Sequence, residues 1–121
     1  MKDNKDMFCG PRHNKAGRFV EACLLCLLKE EKSYGYNLMD KLMGFGFEED
    51  SINISIIYRR LKNMESEGLV ISSWSDSDQG PKKRMYQITE EGIVELDNWI
   101  LLLKDRKLRI TSIIEKYESM K

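Results

Sequence analysis

The ten residues Phe19 to Leu28 are apolar apart from Glu21. Apolar side chains around most of a helix's circumference mark a helix buried on several sides, and the run predicts one from Arg18 to about Lys29. Ser33 then offers an N-cap to a second helix, Tyr34 to Met43, with Tyr36, Leu38, Met39, Leu42 and Met43 as its apolar face. Gly44 and Gly46 are expected to stop it. After the acidic turn Glu48-Glu49-Asp50, Asn53 caps a third helix running to about Glu67. Ile54, Ile57, Tyr58, Leu61 and Met64 recur at helical spacing, which leaves Arg59, Arg60, Lys62 and Asn63 outside.

Gly68 ends that helix, and the pattern changes period. Leu69 to Ser75 alternates, Leu69 and Ile71 against Val70 and Ser72, and includes Trp74, which reads as a strand. Asp76 to Pro81 is turn chemistry, and Arg84 to Ile88 is a second strand of period two. The pair makes a hairpin with Lys82, Lys83 and Arg84 just past its tip. Thr89 with Glu90 to Gly92 opens a last helix, and no breaker follows until about Glu118. Its stripe is Ile93, Leu96, Ile100, Leu103, Lys107, Ile110, Ile114 and Tyr117, spaced alternately by three and four. Such a helix is roughly 43 Å long. The remaining domain is too small to cover all of it, so a second copy of the chain is expected on Ile93, Leu96, Ile100, Leu103, Ile110, Ile114 and Tyr117.

The order helix, helix, helix, hairpin, long helix predicts a mainly α protein with a small β-hairpin (α+β). It is a winged helix-turn-helix with a long C-terminal dimerisation helix. Residues 1–16, rich in Lys, Asp, Asn and Gly, are expected to form a flexible N-terminal arm, residues 17–89 the winged domain and residues 90–121 the dimerisation helix. No apolar stretch approaches the ~20 residues of a spanning helix. Asp3 and Asp6, and Lys29 to Lys32 after the apolar run, argue against a secretory signal, so the expected location is cytoplasmic with no membrane partner.

The 121 residues carry 20 Lys plus Arg against 20 Asp plus Glu, a net charge of zero. Taken alone, that balance counts against a nucleic-acid binder. Resolved along the chain, it is segregated. Residues 53–64 hold Arg59, Arg60 and Lys62 without an acid, residues 79–88 hold Lys82, Lys83 and Arg84 without an acid, and the acids lie elsewhere. A major groove about 12 Å wide admits one helix, and a cationic wing beside it reaches the adjacent backbone. Double-stranded DNA is therefore the expected partner. A winged helix used only for protein contacts is the alternative, and it would show no salt-dependent DNA affinity.

Cys9, His13, Cys23 and Cys26 have the types and number for tetrahedral zinc. Cys23 and Cys26 nevertheless lie in an apolar run, where free cysteine behaves as a small hydrophobe. The reading adopted is no metal and no cofactor, with a metal- or thiol-sensing regulator as the alternative. One histidine, and no nucleophile elbow, P-loop or dinucleotide fingerprint, leave no basis for an enzyme.

The segments Ser33-Tyr34-Gly35-Tyr36-Asn37-Leu38, Ile57-Tyr58-Arg59-Arg60-Leu61-Lys62-Asn63-Met64-Glu65-Ser66-Glu67-Gly68-Leu69-Val70, Trp74, Gly80-Pro81, Arg84, Tyr86, Ile88-Thr89 and Glu91-Gly92 resemble the PadR family of bacterial transcriptional regulators, in its short type with one C-terminal helix. The resemblance covers about residues 18–121. It implies a dimeric repressor that binds a palindromic operator and is released by a small hydrophobic or aromatic effector. It places Tyr36, Tyr58, Lys62 and Lys82 to Arg84 at DNA-facing positions, joined on the chain's own pattern by Asn53, Ser55, Arg59 and Asn63.

Two departures stand out. Tyr34 replaces the family's usual histidine, and Asn53-Ile54-Ser55-Ile56-Ile57-Tyr58 replaces Ser-Pro-Gly-Thr-Leu-Tyr, which removes a hydroxyl and the preset first turn of proline. Trp99 matches in rough position a tryptophan that flanks the family's effector pocket, so an effector is expected near Phe19, Trp99 and Leu103. Simple packing against the neighbouring chain explains Trp99 equally well.

Overall fold

The computed structural model describes residues 15–47, 52–75 and 82–121. Five α-helical and extended segments precede the hairpin's second strand and the long helix: α1 (Lys15–Glu30), β1 (Ser33–Tyr34), α2 (Gly35–Leu42) with a 3₁₀ turn Met43–Phe45, α3 (Ile54–Ser66) and β2 (Val70–Trp74). β3 (Arg84–Ile88) and α4 (Glu90–Glu118) complete the order. Three helices, a hairpin and a long helix are the predicted winged arrangement. The helix α1 starts at Lys15, slightly before the expected boundary, and the rest of the arm lies outside the described residues.

The strand β1 is a correction. Ser33 does not cap α2: it is 6% exposed and pairs with Tyr86, while Tyr34 pairs with Met85. The helix begins at Gly35, preceded by Tyr34 in extended conformation with no side-chain cap. β3 is thereby the central strand of a three-stranded antiparallel sheet, with β2 on its other side from Val70↔Ile88 to Trp74↔Arg84. A two-residue strand is too short to announce itself by period, and Ser33 suits an N-cap as well as an edge. Gly44 falls inside the 3₁₀ turn, and Gly46, at φ +93°, ends the segment in the left-handed region open to glycine.

The core joins all three domain helices to the sheet. Leu24 and Leu25 of α1, Leu38 and Leu42 of α2, Ile57, Leu61 and Met64 of α3, and Val70 of β2 are fully buried. Asn53 caps α3 as expected, its Oδ1 accepting from the Ile56 amide at 3.0 Å. Ile54 and Tyr58, assigned to the apolar stripe, sit at its edge and stay exposed.

Among the described residues, one carboxylate lies inside this apolar core. Glu21 is 2% exposed, and its Oε2 accepts from Arg60 Nη1 at 3.1 Å and from Asn63 Nδ2 at 3.0 Å, while its Oε1 faces Arg18 Nη1 at 3.4 Å. Arg60 and Asn63 therefore do not stand on the outer face of α3, as the spacing suggested. A buried carboxylate without partners would cost far more than two side chains turned inward.

The long helix docks through a tight joint. The Thr89 hydroxyl accepts from the Gly92 amide at 3.0 Å, and its single proton is shared between the carbonyls of Gly68 and Leu69, 2.7 and 3.0 Å away. A Cβ on Gly92 would collide with the Leu69 carbonyl oxygen, so only glycine lets α4 lie this close. The side of α4 that enters the core is Gly92, Leu96 and Trp99, with Leu103 partly buried, rather than the stripe through Ile93 and Ile100. At 3.6 residues per turn Gly92, Leu96, Trp99 and Leu103 fall within about 60° of one another around the helix, and Ile93 and Ile100 lie at the edge of that arc. From Lys107 onward every residue is exposed. Among the described residues no helix is long and apolar enough to cross a membrane.

Desolvation raises the Glu21 pKa above the ordinary 4.5, outweighing the lowering by Asn63, Arg18 and Arg60. A carboxyl whose pKa is raised by folding gives its full stabilisation below the unfolded value and loses it as pH climbs through the folded one. Unfolding free energies measured between about pH 4 and 8 should thus fall more steeply above 4.5 for the native chain than for Glu21→Gln, which cannot ionise. At neutral pH, Glu21→Ala should cost about 3 kcal/mol by urea denaturation, since it strands Arg60 inside.

Candidate nucleic-acid interface

With Ile57, Leu61 and Met64 turned inward, the opposite side of α3 is settled by helical geometry. Ser55, Arg59 and Lys62 stand at spacings of four and three on that side, and all are exposed. Among the described residues no hydrogen bond or ion pair holds either cation. The two flanks of the helix are committed elsewhere. On one, Arg60 and Asn63 reach Glu21; on the other, Glu65 accepts from Ser72 Oγ at 2.8 Å. The helix is anchored from both sides with its cationic ridge outward. Asn53, at its N-terminus, is exposed but its side-chain oxygen is occupied in capping.

Tyr58 is positioned by a glycine. A Cβ on Gly35 would lie 2.5 to 2.9 Å from the Tyr58 ring edge and hydroxyl, so the start of α2 and the ring of Tyr58 pack in direct contact. One residue on, Tyr36 is 42% exposed and stacks nearly parallel to Tyr34, centroids 5.9 Å apart. Lys83 of the wing donates to the Tyr36 hydroxyl at 2.9 Å and lies 4.9 Å from its ring centroid. That hydrogen bond, with the nearby phenols, raises the Lys83 pKa. The next residue, Arg84, turns to the opposite face of the hairpin, 4.9 Å above the Trp74 ring, and its Nε donates to Ser72 Oγ at 3.0 Å. Lys82 is exposed.

A ridge of cations on a helix braced from both sides, beside a wing whose cations are tied to the same domain, can lie along a polyanion. Comparison with known proteins gives the family. The model of the transcriptional regulator PadR-like family matches residues 24–98, more than half of the chain. The chain belongs to the PadR-like family. It is thus a transcriptional regulator with a winged-helix fold, from a family of regulators and not of enzymes.

Solved structures agree. A conserved protein of unknown function described as a potential transcriptional factor is 29% identical with a TM-score of 0.76, covering 91% of this chain and 96% of that one. A PadR-like transcriptional regulator from Bacillus cereus is 29% identical with a TM-score of 0.66, covering 78% and 90%. Bacillus subtilis PadR, solved in complex with operator DNA, is 26% identical with a TM-score of 0.61 over 69% of this chain and 47% of that one. No relative among the curated proteins matches.

Within this PadR-like chain, the other sequence-predicted residues fall as follows. Trp99 is 7% exposed and belongs to the chain's own core, Leu103 packs against that core, and Phe19 packs against it and against Phe47, ring centroids 5.9 Å apart. Cys23 is buried, its thiol pushed up to about 12 mainly by desolvation, whereas Cys26 is exposed. Among the described residues no group of three or more metal-ligating side chains forms. Cys9 and His13 lie outside the described residues. Sequence reasoning missed the roles of Glu21, Tyr34, Gly35 and Trp74. Only Glu21 carried a signal: one acid in an apolar run demands partners.

Gly35→Ala should destabilise the domain by about 1 to 3 kcal/mol through overpacking against Tyr58. Urea denaturation should show most of that cost disappearing in the Gly35→Ala/Tyr58→Ala double variant, where the obstructing ring is gone.

Proposed function

We propose that this PadR-like chain is a ligand-responsive cytoplasmic repressor that binds a palindromic DNA operator as a homodimer. The observation that carries the reading is the outward ridge Ser55, Arg59 and Lys62 on a helix whose two flanks are locked to α1 and β2. That ridge would enter the major groove, with Tyr36, Tyr58, Asn53, Lys82, Lys83 and Arg84 on flanking backbone. The operator-bound state of Bacillus subtilis PadR supports it. Asn63, turned to Glu21, would brace the ridge rather than touch DNA.

Homodimerisation is supported by the far half of α4. Ile110, Ile113, Ile114 and Tyr117 are exposed along one side of the helix there, and apolar side chains gathered in this way mark an interaction surface. A second copy along Ile110, Ile114 and Tyr117 would cover it and continue to Ile100 and the half-buried Ile93 and Leu103, whereas Leu96, expected on that face, is already taken up by the chain's own core. An effector acting beside Phe19, Trp99 and Leu103 would press on the junction of α1 and α4, and so on the spacing of two recognition helices. The proposed division is an arm at 1–16, a winged domain at 17–89 and a dimer helix at 90–121.

Footprinting on DNA flanking its own gene should protect a two-fold symmetric site with half-sites about one helical turn apart. Log affinity should fall against log salt by about 0.9 for each phosphate contacted. Arg59→Ala and Lys62→Ala should each weaken binding by about 1 to 3 kcal/mol where the side chain reads a base. Absence of protection at low salt, there and on genomic fragments, would favour a protein-contact module. Ile110→Glu/Ile114→Glu should sediment as a monomer.

A further inference from the structure

Resting on that DNA-binding reading, we propose that Trp74, Ser72 and Glu65 form a positioning relay that holds the Arg84 guanidinium of the wing in register with the recognition helix, presented to a nucleic-acid phosphate. Arg84 and Trp74 are directly opposed across β3 and β2. The guanidinium carbon lies 4.9 Å from the Trp74 ring centroid, close enough for a cation–π contact, and Trp74 is 57% exposed. A large aromatic residue this open contributes little to the core, and its ring instead supports the wing's arginine.

The polarity of the hydrogen bonds follows from chemistry. The Glu65 carboxylate only accepts, so Ser72 spends its single proton on Glu65 at 2.8 Å. The serine oxygen is then left to accept, and it takes the Arg84 Nε–H at 3.0 Å. One face and one edge of the guanidinium are thereby committed. The Nη edge remains, and among the described residues no acceptor meets it. That edge is the fork that matches a phosphate.

Glu65 sits on α3, on the flank beside the cationic ridge, so the relay links the wing arginine to the same rigid helix that carries Arg59 and Lys62. Lys83 makes a different attachment, to Tyr36 on α2. An arginine already ordered in this way would meet a phosphate with less loss of rotamer freedom than one swinging in water.

The test is a double-variant cycle on a mixed-sequence duplex of about three helical turns, with affinity measured by fluorescence anisotropy across a salt series. Arg84→Ala should reduce the slope of log affinity against log salt by about 0.9. Trp74→Ala should weaken binding roughly two- to fivefold, Trp74→Phe should recover most of that loss, and Ser72→Ala should weaken binding in the same direction as Trp74→Ala. In the Arg84→Ala background, Trp74→Ala should add nothing.

Additive losses, or a phenylalanine as poor as alanine, would overturn the relay. If the duplex binds but Arg84→Ala leaves the salt slope unchanged, the relay falls while the DNA reading stands. A native chain that binds no duplex at low salt would overturn both.

Discussion

A carboxylate in an apolar core sets the geometry of this protein. Glu21 can be accommodated between α1 and α3 only because Arg60 and Asn63 turn inward to meet it. Those two residues lie one turn apart on α3, so their attachment fixes the rotation of the helix about its axis as well as its distance from α1. Apolar contacts through Ile57, Leu61 and Met64 press the helix onto the domain but tolerate some rolling. Directional bonds to a buried charge do not. The outward aim of Ser55, Arg59 and Lys62 depends on this inward constraint, supplemented on the other flank by Glu65 and Ser72.

Two close approaches complete the frame. At Gly35 the start of α2 lies against Tyr58, and at Gly92 the start of α4 lies against the Leu69 carbonyl. Each is a site where backbone must come nearer than a Cβ allows. The second places α4 in line with the turn that ends α3, because the Thr89 hydroxyl bonds both Gly92 and the carbonyls of Gly68 and Leu69. The long helix is thereby joined to the end of the cationic helix through a short, hydrogen-bonded turn.

The charge arithmetic takes on a different meaning in three dimensions. Of the three cations on α3, Arg60 is consumed internally, and of the three on the wing, Lys83 and Arg84 are tied to Tyr36 and to Ser72 with Trp74. The outward positive charge is smaller than the residue count but more rigid. With net charge zero, long-range attraction to any polyanion is weak, and what the surface offers is placement of a few groups.

Period and punctuation in the sequence determined most of the fold. The limits of α3 and α4, the Asn53 and Thr89 caps and the second wing strand were legible because local hydrogen bonding and helical or strand periodicity specify them within a few residues. Arg59 and Lys62 were legible as outward residues, the complement of a buried stripe, although the same spacing also put Arg60 and Asn63 outside. What only the tertiary structure decided are the pairings across long sequence distance. They bring Glu21 to Arg60 and Asn63, Ser33 into the sheet against Tyr86, Arg84 onto Trp74, and Trp99 instead of Ile100 into the core. None of these leaves a periodic trace, because each depends on where two separately specified elements meet in space, and that is settled by burial, charge compensation and close packing acting together.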